Sequence, residues 1–260
     1  MARGLIKMAP LALIFALSGV FIQPTLAQRL VSKLSDQEIS INSTFAGENM
    51  TLFGNVEPPI GQSQKTINGP FDIVITVQGP SVTRVVRRKE RQLGVWLNAR
   101  HVTFSSVPSF FHIMATGRLD NIATNATFSK LGITIESQIR GPDTTAETEV
   151  ELFRKQLIRL MSETKMFGID EHRVSFLSET FYTAQIILPA NVPNGTYLAK
   201  TYVFKNGVVI DQRAERFFVR TTGVERFISK ASRDFPLAYG VAVVLLALFT
   251  GWLGGVAFRR

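Results

Sequence analysis

The stretch Phe71–Pro80, FDIVITVQGP, decides the fold class, because its apolar residues fall at every second position before a Gly-Pro pair. The alternating residues are Phe71, Ile73, Ile75 and Val77. Successive side chains of a strand point to opposite faces of a sheet, so these residues would share one face. The pattern predicts a β-strand that buries one face in an apolar core.

Short runs of the same kind flank this stretch and are separated by Gly, Pro or Asn. In chain order they span residues 38–42, 50–53, 82–88, 94–97, 102–104 and 107–115. Strands of this length and spacing predict a mainly β protein with an immunoglobulin-like antiparallel β-sandwich. The chain has no cysteine, so we expect its core to rest on apolar packing without an inter-sheet disulfide.

The apolar period changes in residues 144–166, where one face of a helix is predicted. That face would carry Val150, Phe153, Leu157 and either Leu160 or Met161. Acidic residues crowd its start and basic residues follow, which suits the helix dipole. We expect an amphipathic helix that packs on the β core, and an interaction helix is the alternative.

Strand patterns return after the helix, in residues 180–188, 197–204, 208–210 and 213–219. Asn206-Gly207 predicts the tight turn of a hairpin, because both residues tolerate positive φ angles. Whether all the strands form one module or two stays open at this point.

Leu237–Phe258, LAYGVAVVLLALFTGWLGGVAF, contains no charged residue and predicts a transmembrane helix. Tyr239 and Trp252 lie toward its ends, where such side chains favour the membrane interface. Arg259 and Arg260 would then form a cytoplasmic tail by the positive-inside rule. A GPI signal is the alternative, but such a signal ends in its apolar tail.

Four glycines add a surface of small residues to this helix: Gly240, Gly251, Gly254 and Gly255. Small residues let transmembrane helices approach closely. We expect this surface to pack against a membrane partner, and lipid-facing glycines are the alternative.

Residues 1–27 are typical of a secretory signal peptide, with Arg3 and Lys7 before an apolar segment and Thr25-Leu26-Ala27 at the cleavage site. An uncleaved anchor helix is the alternative.

The predicted order is a signal peptide (1–27), a β-sandwich module (28–125), a helix plus second β module (126–222), a stalk (223–236), a transmembrane helix (237–258) and a tail (259–260). This order predicts a single-pass protein of the bacterial inner membrane, with a periplasmic N-terminal domain and a cytoplasmic C-terminus.

The formal net charge is +9, from 29 basic and 20 acidic residues, and part of the excess lies in the two termini. The exported domain would be only mildly basic, which gives no indication of nucleic-acid binding. The absence of cysteine excludes thiol catalysis and cysteine-based metal sites, and it favours a bacterial envelope. Glycosylation sequons occur at Asn42, Asn49, Asn125 and Asn194, and they would matter only in a eukaryotic cell.

The residues that could act in catalysis or metal binding form no recognised motif. His101, His112 and His172 lack the spacing of metal ligands, although Asp170-Glu171-His172 has a weak likeness to a metal site. Nucleophile-elbow and phosphate-loop motifs are also absent from the sequence. We therefore expect a non-enzymatic protein without a metal or cofactor, and an envelope enzyme is the least favoured hypothesis.

The basic string RVVRRKER, residues 84–91, is the strongest candidate binding segment. Its candidate residues are Arg87, Arg88, Lys89 and Arg91. They would bind carboxylate, phosphate or sulfur oxyanions through guanidinium forks, or they would face lipid headgroups or an acidic partner. The alternative is a charged turn whose cations prevent edge-to-edge pairing of strands. The neighbouring Trp96 is predicted to lie in the core.

Several strings together resemble the alphaproteobacterial transmembrane protein family of the Alph_Pro_TM type: RRKERQLGVWLN followed by VPSFF, the hairpin YLAKTYVFKNGVVI, and the final AYG, GWLGG and FRR. The resemblance covers nearly the whole mature chain. It implies an inner-membrane protein with a periplasmic domain, and it carries over no activity or catalytic residue. It also implies an accessory role beside a transporter, such as a sulfite exporter.

Three functions follow as hypotheses. The first is a non-enzymatic interaction module that contacts the lipid bilayer and a membrane or periplasmic protein, such as a transporter. The second is a periplasmic anion-binding or sensing domain. The third is the envelope enzyme named above.

Overall fold

The computed structural model describes residues 29–42, 44–57, 69–92, 94–142, 146–222 and 224–257. The predicted signal peptide and cytoplasmic tail lie outside these residues. The strands are β1 (Arg29–Leu34), β2 (Glu38–Ile41), β3 (Gly47–Glu57), β4 (Asp72–Gln78), β5 (Ser81–Gln92), β6 (Val95–Pro108), β7 (Phe111–Ala115), β8 (Phe167–Asp170), β9 (Val174–Phe176), β10 (Phe181–Pro189), β11 (Gly195–Lys205) and β12 (Val208–Thr221). The helices are α1 (Leu119–Ile122), α2 (Asn125–Leu131), α3 (Glu147–Glu163), α4 (Val224–Asp234) and α5 (Pro236–Ala257).

Most strands belong to two sheets that share one apolar core. The first sheet has the order β1-β3-β10-β9 and is antiparallel throughout. The second has the order β2-β12-β11-β4-β7-β8, in which β2 runs parallel to β12 and β7 parallel to β8. At one edge, the backbone N–H of Leu30 donates to Asp211 Oδ2 at 2.6 Å and so joins the two sheets. The prediction of a mainly β protein is confirmed.

The β4 strand is buried on both faces, although its sequence predicted one buried face. All residues from Ile73 to Val77 are buried, because the segment that contains α1 and α2 adds apolar cover to the second sheet. Phe128 of α2 packs edge-on against Phe204 of β11, with 5.6 Å between ring centroids. Thr124 caps α2 by accepting a hydrogen bond from the backbone N–H of Thr127.

The α3 helix confirms the predicted apolar face. Its buried residues are Val150, Phe153, Leu157 and Met161. Leu160 is 47% exposed, so Met161 and not Leu160 completes the face.

The β5 and β6 strands form a long two-stranded hairpin of their own, where the sequence predicted several short strands. The hairpin continues β4 and β7 through Gly79, whose N–H donates to Phe110 O at 2.8 Å. Its inner part is buried through Val86, Val102 and Phe104. Its outer part is exposed from Gly94 to His101, so the prediction of a buried Trp96 is wrong.

Each sheet combines strands from both predicted modules, 28–125 and 126–222. The first sheet joins β1 and β3 to β9 and β10, and the second joins β4 and β7 to β11 and β12. The module boundaries stay predictions, but hydrogen bonds connect the two ranges in both sheets.

The predicted stalk, 223–236, contains α4, and the predicted transmembrane helix coincides with α5 to within one residue at each end. Among the described residues, α5 is the one helix that is long and apolar enough to cross a membrane. None of its residues is buried against the other described parts of the chain.

Candidate functional site

Three of the four predicted binding residues lie in one groove. Arg87, Arg88 and Lys89 line a groove of about 530 Å³ between β5 and α3, whereas Arg91 is not among its lining residues. The α3 side of the groove is formed by Leu152, Phe153, Gln156, Arg159 and Leu160. The basic string of the sequence therefore becomes one wall of a cleft whose other wall is a helix.

A small network of ion pairs connects the hairpin to α3. Glu90 lies 3.6 Å from Arg88 Nε and 3.7 Å from Arg100 Nε, measured to Glu90 Oε1. Arg100 also reaches Glu149 Oε1 in the first turn of α3, at 3.7 Å. Because the arginines are exposed and the carboxylates are only partly buried, each pair stabilises the fold by only about 0–1 kcal/mol.

The groove combines a basic rim with an apolar floor. Arg88 pairs with Glu90 and Arg159 pairs with Glu163, whereas Arg87 and Lys89 form no ion pair with any residue that the structure describes. Leu152 and Leu160 are both half-exposed within the groove. An anionic group with an apolar neighbour would find complementary chemistry here, since guanidinium groups bind carboxylate and phosphate oxygens.

The α3 half of this groove was not predicted from the sequence. Leu152 and Leu160 are apolar but lie off the buried stripe of the helix, and that mismatch was the available signal. Arg159 carried no signal of its own, because it lies far from the basic string along the chain.

A second exposed feature is the tip of the hairpin. Gly94 adopts a φ of 84° at the turn, and Val95, Trp96 and Leu97 follow as exposed apolar residues. Trp96 is 66% exposed and lies directly opposite Arg91 in the antiparallel pair. The fourth predicted binding residue therefore belongs to the tip of the hairpin and not to the groove.

A close pair of titratable side chains, His112 and Asp170, was not predicted from the sequence. His112 Nδ1 lies 3.4 Å from Asp170 Oδ2, and its ring stacks on Phe110 with 4.6 Å between centroids. The parallel pairing of β7 with β8 brings these distant residues together. Asp170 also pairs with Arg173 at 3.4 Å, so its carboxylate is shared between two partners.

The weak metal likeness of Asp170-Glu171-His172 finds no support in the described part of the chain. No group of three His, Cys, Asp or Glu side chains within it has an arrangement that fits a metal ion. His172 is exposed and adopts a φ of 65° in a turn, as a solvated loop residue does.

The four glycines of α5 lie on one face of the helix. At 100° per residue, Gly240, Gly251, Gly254 and Gly255 fall within an arc of about 100°. Apart from the neighbouring backbone of the helix itself, a Cβ atom on any of them would meet no described atom within 4 Å. This face is open to whatever surrounds α5.

Comparisons with known proteins place the chain in a family. No curated protein and no solved structure matches it. Residues 29–260 match the family described as "Putative transmembrane protein (Alph_Pro_TM)", and the match extends from β1 through α5. The chain therefore belongs to the Alph_Pro_TM family of transmembrane proteins.

Proposed function

We propose that this chain is a non-enzymatic interaction protein of the bacterial inner membrane that supports a transporter or another envelope complex. The observation that carries the proposal is the basic, apolar-floored groove between β5 and α3. Its occupant would be an acidic amphipathic segment of a membrane-anchored partner.

The membrane placement rests on the two ends of the chain. The α5 helix is apolar along its length, and the arginines that follow it favour a cytoplasmic C-terminus. The basic and apolar pattern of residues 1–27 favours export of the β domain. The periplasm is then the compartment in which the groove meets its partner.

The shape and charge of the groove favour a peptide segment as its occupant. Leu152 and Leu160 lie eight positions apart on the helix, which corresponds to about 12 Å along its axis. Two turns of a partner helix would cover that length, with apolar residues on Leu152 and Leu160 and acidic residues near Arg87 and Lys89.

The glycine face of α5 would supply a second contact with the same partner inside the membrane. Gly251→Leu would fill this face without touching the β domain. We expect that variant to lower the amount of partner recovered and to leave the stability of the β domain unchanged.

The proposal is tested by purification of the full-length protein from its native membrane in a mild detergent. We expect a membrane protein to co-purify and the double variant Arg87→Glu/Lys89→Glu to lose it. The matched control, Arg118→Glu/Lys130→Glu, changes two exposed cations away from the groove and should retain it. Recovery of a lone monomer, or equal loss with both double variants, would contradict the proposal.

Anion or solute binding is the second candidate function. It is favoured by Arg87 and Lys89, which line the groove and form no ion pair within the described part of the chain. Calorimetry on the full-length protein with sulfite, sulfate, phosphate and small carboxylates would measure it. This candidate function is eliminated if no anion gives a heat of binding. It is also eliminated if the heat of binding is unchanged in Arg87→Ala/Arg88→Ala.

The immunoglobulin-like type of the β domain is part of the proposal. Such domains place their first, second, fifth and fourth strands in one sheet, and the order β1-β3-β10-β9 is compatible with that layout. Tyr197 near the start of β11 donates to Pro193 O at 2.7 Å, as in the tyrosine corner of these domains. An experimental structure of the full-length protein would test this assignment by strand-by-strand superposition on an immunoglobulin domain.

A further inference from the structure

The hairpin and the membrane-spanning helix leave the β domain at the same end. In the second sheet, Gln78 at the end of β4 lies beside Leu198, and Gly195 lies beside Val219 near the end of β12. A Cβ atom on Gly195 would lie only 2.7 Å from Pro80 Cγ, so the residue before β5 packs directly on this end. The start of β5 and the exit of β12 toward α4 and α5 are therefore neighbours.

The α4 helix keeps the start of the span close to this end. Lys230, Arg233 and Asp234 of α4 line a cleft of about 700 Å³ together with Gly195, Thr196 and residues 218–221 of β12. Because α5 begins two residues after α4 ends, the membrane would lie on the side of the β domain from which the hairpin projects.

The hairpin is long enough to reach beyond its own support. The β5 strand has 12 residues, which corresponds to about 40 Å at 3.3 Å per residue. The α3 helix supports its inner part, and Arg100 marks the limit of that support through its ion pair with Glu149. The segment from Gly94 to Asn98 is exposed throughout.

Exposed apolar side chains lie on both faces of the tip. Trp96 shares one face with Arg91, because residues directly opposite in an antiparallel pair point to the same side. Val95 and Leu97 lie on the other face, since side chains alternate along a strand. Glu90 lies opposite Leu97 on that second face, where its carboxylate pairs with Arg88 and Arg100. A tip with exposed apolar side chains on both faces suits immersion in a membrane interface better than docking on one protein surface.

Cations surround this tip. Between residues 87 and 101 there are five basic side chains, Arg87, Arg88, Lys89, Arg91 and Arg100, and one acidic side chain, Glu90. Glu90 is already engaged by Arg88 and Arg100. Tryptophan favours the membrane interface, and each basic residue near an anionic surface strengthens binding to it.

We infer that the β5–β6 tip docks on the surface of an anionic lipid bilayer and gives the protein a second membrane contact beside α5. This inference goes beyond the proposed function, which concerns a protein partner in the groove and would survive without the lipid contact. Two contacts at one end of the domain would hold the groove at a defined height and orientation above the membrane.

Tryptophan fluorescence of the full-length protein tests the inference. The chain has two tryptophans, so Trp252→Phe leaves Trp96 as the single reporter. This variant is reconstituted in vesicles of phosphatidylcholine alone or with phosphatidylglycerol, each with and without brominated acyl chains. We expect blue-shifted Trp96 emission and bromine quenching in the anionic vesicles, and little of either in the neutral ones.

Charge variants in the same background separate docking from general effects. Lys89→Glu should lower the docked-to-free ratio by about fivefold or more, because it removes one cation at the surface. Arg91→Glu provides a second variant, circular dichroism checks folding, and Lys130→Glu is the control on α2. Solvent-like Trp96 emission without quenching in anionic vesicles overturns the inference. An equal loss of docking with Lys130→Glu also overturns the inference. So does a blue shift of Trp96 emission that occurs only when another protein is added.

Discussion

The Tyr197 hydroxyl donates a hydrogen bond to Pro193 O at 2.7 Å and so ties the start of β11 to the preceding loop. Tyr182, on β10 in the first sheet, is buried to the same extent, but its hydroxyl oxygen has no hydrogen-bond partner within the described residues. The two tyrosines therefore provide a matched pair that differs in one hydrogen bond.

Removal of the two hydroxyls should have different effects on the free energy of unfolding. Tyr197→Phe should lower it by about 1–2 kcal/mol, because a hydrogen bond is lost and a carbonyl loses its partner. Tyr182→Phe should change it by less than about 0.5 kcal/mol, since the removed oxygen was unsatisfied. Urea denaturation in detergent, followed by circular dichroism, measures both, and equal losses would contradict the assignment.

Stability should fall at alkaline pH because of the buried tyrosines. Burial raises the pKa of Tyr182 from 10.0 to about 12, although the nearby hydroxyls of Thr201 and Ser32 partly offset the rise without reaching hydrogen-bond geometry. Burial raises the pKa of Tyr197 and of Tyr202 as well. A raised folded-state pKa contributes stability below the unfolded value, and that contribution is lost as the pH rises through the folded value.

For Tyr182 the loss would amount to roughly 2–3 kcal/mol between about pH 10 and pH 12. Urea titrations across this range should show the free energy of unfolding falling, and Tyr182→Phe should make the fall shallower. A stability that is constant from about pH 9 to about pH 12 would contradict the burial of these hydroxyls.

Gly54 should tolerate no side chain. A Cβ atom at this position of β3 would collide with the carbonyl oxygen of Val31 and with the Tyr182 ring. Gly54→Ala should therefore lower the free energy of unfolding by about 1–3 kcal/mol or more. Gly117→Ala is the control, because its Cβ would meet only His172 Cε1 at 3.9 Å. Equal stability of the two variants would show that the first sheet packs differently.

Substitutions at two neighbouring residues of α3 should separate an effect on stability from an effect on partner binding. Phe153 is buried, so Phe153→Ala should cost about 3–5 kcal/mol of stability. Leu152 is half-exposed in the groove, so Leu152→Ala should cost well under about 1 kcal/mol and still reduce the recovery of the partner. Denaturation curves and co-purification yields measure the two effects. Full recovery of the partner with Leu152→Ala would show that the groove floor is not part of the binding surface.

The local periodicity of apolar residues was sufficient to predict the elements that bury a single face. The 3.6-residue spacing of α3 predicted its buried stripe, and Asn206-Gly207 predicted the turn between β11 and β12, where both residues have positive φ. The parallel pairing of β2 with β12 was beyond this reasoning, because it joins Glu38 to Phe218 and no local pattern reports such a contact.

The binding surface was only half predictable for the same reason. The cations of residues 84–91 stand out in the sequence, but tertiary packing alone brings Arg159 and Leu160 to them. Trp96 was predicted to lie in the core, as a tryptophan does in many β-sandwiches. Its exposure arises because the hairpin extends past α3, and the length of that extension depends on how β5 pairs with β6.

The most direct test of the account is the sidedness of the chain in intact cells. The protein has no cysteine, so single cysteines report without background. One is placed at the exposed Glu179 and another after Arg260, and both are treated with a membrane-impermeant maleimide. We expect Glu179→Cys to react in intact cells with a permeabilised outer membrane, and the C-terminal cysteine to react only after lysis. Labelling of the C-terminal cysteine in intact cells, or protection of Glu179→Cys, would contradict an inner-membrane protein with a periplasmic β domain.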